Sequence, residues 1–303
     1  MPAPFAHFTL FEKAKEKFCE SDNLIRIQTS ISDYSEFGLL GANSPDFPIV
    51  CFDNVWEGNL HGSTASNYVK AAIEIIPTYP EEVQRKYISW FCGYISHMVG
   101  DAVIHPVVNE KVGRYLGHEK KHQRCEINQD AFIFKKLGLV SVGKCEFVKN
   151  IIRNCCEETD RTKLDSELVA FWQKLTETAF PNESVPDFNM WFAAYTGVLD
   201  LISEESEWVS LREIAKTLRK DQLIQITPET IEETYIYSLP TPGGKTINYE
   251  ALFKKAVDLT VKMWRILGES LEKNKKLKSP LSLKWDLNTG EIVKPEFLFW
   301  KRL

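Results

Sequence analysis

The stretch from Trp90 to Asp130 constrains this chain more than any other. It opens inside the most apolar window, Tyr87 to Val108, yet His97, Asp101 and His105 stand in that window at i, i+4 and i+8. In a helix, residues four apart drift by only about 40° around the axis, so the three form one polar stripe on an otherwise apolar rod. His118, His122, Glu126 and Asp130 repeat the spacing further along. Neutral imidazole and carboxylate oxygen are ligands that borderline metals such as zinc accept, and facing helices of a bundle core can hold such a centre. The chain is therefore expected to fold around a buried metal centre.

The apolar window has about the length of a membrane span. Its mid-segment ionisable groups, with Gly93, Gly100 and Pro106, argue instead for a buried helix of a globular protein, so no transmembrane segment is expected. A formal net charge of only −5, without a basic run, gives no reason to expect a nucleic-acid polymer or an anionic membrane as partner. The partner should be small. Seven cysteines without a CxxC fit reduced, mostly buried thiols rather than a disulfide frame or a zinc finger. The opening residues show no basic segment followed by an apolar run, so a cytoplasmic location is expected.

Along the chain the pattern is helical. Phe8, Leu10, Phe11, Ala14 and Phe18 follow a 3.6-residue period and predict an opening helix over Phe5 to Cys19 with His7 at its start. Phe37 to Trp56, rich in Gly, Pro, Asn and Asp, reads as a structured loop, and His61 reads as a loop residue before a helix capped by Ser63 or Thr64. Pro80 starts a long helix that Pro106 should end or kink at His105. Further helical patterns cover residues 126–138, 145–158, 166–180, 188–202 and 206–220, and a strong amphipathic one runs from Tyr249 to about Lys275. Residues 222–249 alternate polar with aromatic or β-branched side chains and read as loop or short strand, a possible lid. Residues 280–303 read as a hairpin turning at Asn288-Thr289-Gly290. The fold class is all-α, with one domain over residues 1–303.

Any single histidine on an apolar helix is more often a satisfied core residue than a ligand. Six histidines that each fall at a helix start, in a polar loop or four residues from a carboxylate argue for the metal as a set. Asp130 is a candidate partner for a ligating imidazole, and His118 an alternative ligand or a surface residue. Trp56, beside the Asp46 segment, is a candidate substrate-pocket residue, whereas the aromatic run around Trp191 reads as core.

The segments PAPFAHFTLFEKA, GANSPDFP, NLHGS, GYISHMVGDAVIHP and HQRCE, in this order over roughly the first 130 residues, resemble the zinc-dependent phospholipase C family, which includes the fungal single-strand-specific zinc nucleases. The resemblance implies a mostly helical protein that hydrolyses phosphate esters in a cleft lined by zinc ions. It implies that Asp46, His61, His97 and Asp101 hold one zinc, with Asp101 bridging to a neighbour, and that His105, His122 and Glu126 hold a second. His7 with Asp101 would serve a third, and Asp46 would orient or deprotonate the attacking water. Secreted members complete the third site with a free N-terminal Trp where this sequence has Met1-Pro2, so two zinc ions are expected and the third stays open. The short gap between Asp101 and His105 resembles the intracellular bacterial members. The substrate implied is a phospholipid or lipid-like phosphodiester. A phosphomonoester, a non-phosphate small molecule, or a metal-stabilised binding protein without activity are the alternatives.

Overall fold

A computed structural model of the chain describes residues 4–21, 23–136, 154–201, 230–272, 276–293 and 296–301. The organising element is α7 (Glu81–Val112), 32 residues long and buried without interruption from Tyr87 to Val108. A helix apolar on every side has to be surrounded, and this one is wrapped by α1 (Pro4–Ser21), α2 (Ile25–Asp33), α3 (Ser35–Asn43), α8 (Glu119–Lys136) and α11 (Tyr249–Glu272). Glu81 and Glu82 sit at its positive end, and Gly113, at φ 94°, terminates it in a conformation that favours glycine. No helix among the described residues is long and apolar enough to cross a membrane. The fold is all-α, with only two short antiparallel pairs among the described residues. These are β1 (Leu239–Pro240) with β2 (Thr246–Ile247), and β3 (Glu291–Val293) with β4 (Glu296–Phe297).

The expected loop at Phe37 to Trp56 is mostly helical: α3, a 3-10 turn over Ser44–Asp46, α4 (Phe47–Val50) and α5 (Asn54–His61). Its glycines serve close packing. A β-carbon on Gly41 would lie 1.9 Å from the Trp90 carbonyl oxygen, and one on Gly93 would lie 1.9 Å from that of Gly38. Two helix backbones therefore touch where side chains would hold them apart. His61 ends α5, and α6 (Asn67–Ile75) begins without a side-chain cap. α9 (Ser166–Ala179) and α10 (Phe188–Leu201) match the helical patterns there. Most of the segment 145–158, all of 206–220, and residues 222–229 lie outside the described residues.

Two further expectations are corrected in part. Of an end or a kink at Pro106, the end is excluded, because α7 continues to Val112. The carbonyls near the proline meet the C-terminal segment instead: Trp300 Nε1 donates to Val103 O at 3.0 Å, and Gly290 lies against Ala102 O. The residues Asn288-Thr289-Gly290 do turn the chain, with Gly290 N donating to Asp286 O at 2.7 Å and Asp286 N to Glu291 O at 3.0 Å, but the strand that pairs with β3 is β4, which follows it, and no strand leads into the turn among the described residues.

Candidate metal centre

Asp101, fully buried at the middle of α7, lies among four imidazoles. Its Oδ1 is 3.5 Å from His7 Nε2 and 3.8 Å from His105 Nε2, while Oδ2 is 3.3 Å from His97 Nε2 and 4.0 Å from His61 Nε2. Neither oxygen reaches hydrogen-bond geometry with a neighbour. Asp46, from the 3-10 turn between α3 and α4, joins on the other side, its Oδ1 3.2 Å from His61 Nε2 and 3.8 Å from His97 Nε2.

The backbone fixes how the rings present themselves. His97 Nδ1 faces Ala42 O at 2.9 Å, His61 Nδ1 faces Glu57 O at 3.1 Å, and His105 Nδ1 faces Leu287 O at 2.6 Å. A carbonyl only accepts, so the proton of each neutral ring is assigned to Nδ1 and its Nε2 is left as a bare lone pair. Those Nε2 atoms point at one another and at carboxylates: His61 and His97 are 3.3 Å apart through theirs. Acceptor facing acceptor in a dry core is costly unless protons or a cation stand between them.

The electrostatics agree. Burial alone would raise the pKa of Asp101, but His105 and His97 hold it well below the usual carboxylate range. Asp46 is lowered too, since the charges of His97 and His61 outweigh its burial. Burial pushes His7 down to about 3 and His105 to about 4. His97 is raised, against its burial, by Asp101 and Asp46. The buried cluster thus keeps its carboxylates ionised and two of its imidazoles neutral, the state from which metal ligands bind.

Two groups bring three ligand atoms within 4.8 Å of one another: His7 with His97 and Asp101, and Asp46 with His61 and His97. Their nitrogen and carboxylate donors fit zinc. His7 stacks on His97 with ring centroids 3.9 Å apart, and neither of its nitrogens has a hydrogen-bond partner. His122 and Glu126 sit together on α8, Nδ1 to Oε1 at 3.5 Å, while His122 Nε2 is paired with Gly113 O at 2.6 Å, leaving Nδ1 as the available atom. The structure does not draw His105, His122 and Glu126 into one such group among the described residues, although Glu126 is near enough to act on His105 electrostatically.

Elsewhere the predicted residues separate. His118 is exposed, its Nδ1 bonded to Arg114 O at 3.1 Å. Trp56 is buried edge-on between Phe180 and Trp191, at 5.3 and 6.2 Å between centroids. Asp130 is buried and acts electrostatically on Tyr195 and Tyr249. Sequence reasoning passed over Asn43 and Tyr195. Asn43, fully buried at the end of α3, has neither side-chain polar atom hydrogen-bonded. Tyr195, with its ring 4.5 Å from Phe47, carries a buried hydroxyl without a partner, and its pKa is pushed well up by burial and by Asp46. Asn43 stood inside GANSPDFP, where it was legible; Tyr195 had only an aromatic run around it.

A helical protein whose core closes on histidines and carboxylates that could hold metal ions belongs to the metal-site helical class. The particular family follows from comparison. The sequence model described as zinc dependent phospholipase C matches residues 6–182, more than half of the chain, and the chain belongs to that family. No curated protein and no solved structure matches it. The match reaches past the roughly 130 residues that carried the sequence resemblance and ends before α10. Membership implies a zinc-dependent, phospholipase C-like hydrolase.

Proposed function

We propose that the protein hydrolyses a phosphodiester of a phospholipid or lipid-like molecule, with zinc held by Asp46, His61, His97 and Asp101 on one side and by His105, His122 and Glu126 on the other. His7 would extend the set towards a third ion. The observation that carries the reading is the convergence of the His61, His97 and His105 Nε2 atoms on the Asp101 and Asp46 carboxylates, each ring turned inward by a backbone carbonyl. Bound zinc would supply concentrated positive charge, which acidifies water and offsets charge on phosphoryl oxygens.

The chain's own groups then have separable tasks. Asp101, with its two oxygens facing different imidazoles, keeps the ligand sets at a fixed separation. Asp46, held below the usual carboxylate range by His97 and His61 against its burial, accepts a hydrogen bond from the attacking water and aims its lone pair at phosphorus. The water oxygen forms the new bond to phosphorus as the bond to the leaving oxygen breaks; one water proton ends on the leaving oxygen, which departs as the alcohol, and the other stays on the phosphomonoester or passes to solvent.

The test is a panel of phosphodiesters and phosphomonoesters, including diacyl phospholipids, assayed on the chelated protein before and after zinc is restored. Hydrolysis of diesters that returns with zinc is the expected result. Zinc-restored activity on monoesters alone would overturn the diester assignment, and a fully zinc-loaded protein that turns over nothing would overturn the hydrolase.

A further inference from the structure

The His61 and His105 imidazoles come from different helices, and one short turn from far along the chain touches both residues. Leu287 N donates to the carbonyl of His61 at 2.8 Å, and Leu287 O accepts from His105 Nδ1 at 2.6 Å. Asn288 adds its Nδ2 to the same His61 carbonyl at 3.3 Å, and its own carbonyl receives Asn109 Nδ2 from α7 at 2.9 Å. We propose that the turn Trp285–Gly290, beyond the residues the family model matches, is a positioning element of the metal centre, and that zinc binding and docking of this C-terminal turn strengthen each other. The inference rests on the metal reading above.

The turn is built to hold a position. Asp286 closes it, its Oδ1 accepting from Thr289 N at 3.0 Å and its carbonyl from Gly290 N at 2.7 Å. Trp285 and Leu287 are fully buried beneath it. Gly290 has φ 68°, and a β-carbon there would lie 2.4 Å from Pro106 Cγ and 2.6 Å from Ala102 O. Ala102 O is the carbonyl that Pro106, lacking an N–H, leaves without its helical donor. Trp300 Nε1 secures Val103 O one residue on, at 3.0 Å. The proline inside α7 thus prepares the surface on which the segment lies.

Ordinary packing would need only the apolar contacts. The polar contacts instead select a ligand's tautomer: the Leu287 carbonyl claims the His105 proton on Nδ1 and leaves Nε2 facing Asp101. Without that carbonyl the ring would exchange tautomers and rotate, and a ligand would first have to be reordered. By linkage, whatever the turn contributes to zinc affinity, zinc returns to the docking of the turn.

The experiment measures zinc dissociation constants by chelator competition and the imidazole 15N shifts of His105 in the full chain, for the wild type, Gly290→Val, Asn288→Ala and, as a control on an exposed position, Lys284→Ala. Gly290→Val is expected to weaken zinc by about tenfold or more and to abolish the single His105 tautomer in the zinc-free protein. Asn288→Ala is expected to weaken zinc by about threefold, and Lys284→Ala to match the wild type. Zinc should slow proteolysis of the segment after Lys278 in the wild type more than in Gly290→Val. Folded variants with wild-type zinc affinity and an unchanged tautomer would overturn the proposal. If Gly290→Val does not fold, unchanged affinity and tautomer in Asn288→Ala overturn it alone. A wild type that binds no zinc would instead overturn the metal reading itself.

Discussion

Asp101 and Asp46 are both buried carboxylates held below their usual pKa, yet their surroundings assign them different work. Asp101 faces imidazole nitrogens through both oxygens, whereas Asp46 meets His61 and His97 through one, Oδ1. Asp46→Asn keeps the shape and removes the charge of a proposed zinc ligand, so kcat should fall by about a hundredfold or more and zinc should be held more weakly in chelator competition. His97→Ala removes the nitrogen shared by both three-residue groups, and the zinc count per chain should drop together with activity. An unchanged count in that variant would contradict the ligand assignment. The stripe of His97, Asp101 and His105 was readable because four-residue spacing is local information. The pairing of His105 with Leu287 was not, because 182 positions separate them.

At the scale of elements, the crossing of α3 and α7 sets where Asp46 can stand, since α3 leads directly into its 3-10 turn. Gly41→Ala would place a methyl 1.9 Å from the Trp90 carbonyl, and neither backbone can yield without parting the helices. The expected cost is about 3 kcal/mol in urea unfolding, with weaker zinc binding because Ala42 O, which orients His97, moves as well. The same glycines explain the misreading of this segment. Gly38 and Gly41 look like loop residues when only neighbours in sequence are considered, but a β-carbon on Gly41 would meet Trp90 of α7, some fifty residues on, and one on Gly38 would meet the Phe11 ring of α1. Pro106 does not end α7 for a related cause: its local penalty is real, and Gly290 and Trp300 meet the disturbed backbone from far along the chain. α1, α7 and α11 were legible because their apolar periodicity is continuous.

For the whole molecule, a core that concentrates ionised carboxylates and neutral imidazoles has a stability that depends on metal and on pH. Zinc that binds only the folded chain stabilises it by about 4 kcal/mol at a thousandfold excess over its dissociation constant, so chelation should lower the Tm in a calorimetric scan. The pH dependence of the chelated protein has a definite sign. Burial lowers His7 to about 3 and His105 to about 4 in the folded chain, against the ordinary imidazole value of 6.5 when unfolded. Between pH 6.5 and about 4 the unfolded chain therefore takes up protons that the folded chain refuses, and stability falls as pH falls. His97, raised when folded, opposes this with one group against two, and the lowered carboxylates add to the fall at still lower pH. The Tm of the metal-free protein should be lower at pH 5 than at pH 7; a rise would mean that His97 governs the balance.

α7 also limits how such a centre can change over time. His97, Asp101 and His105 ride on one buried rod, so their mutual spacing is set by helical pitch, and a substitution along the rod shifts all three together. The freedom to accept a larger ion, or to bring two ions closer, lies with the residues that approach from other elements: His7 on α1, Asp46 in the 3-10 turn and His61 at the end of α5. Divergence in metal preference among chains built this way should be written in those approaching elements, with the rod kept as the common ruler.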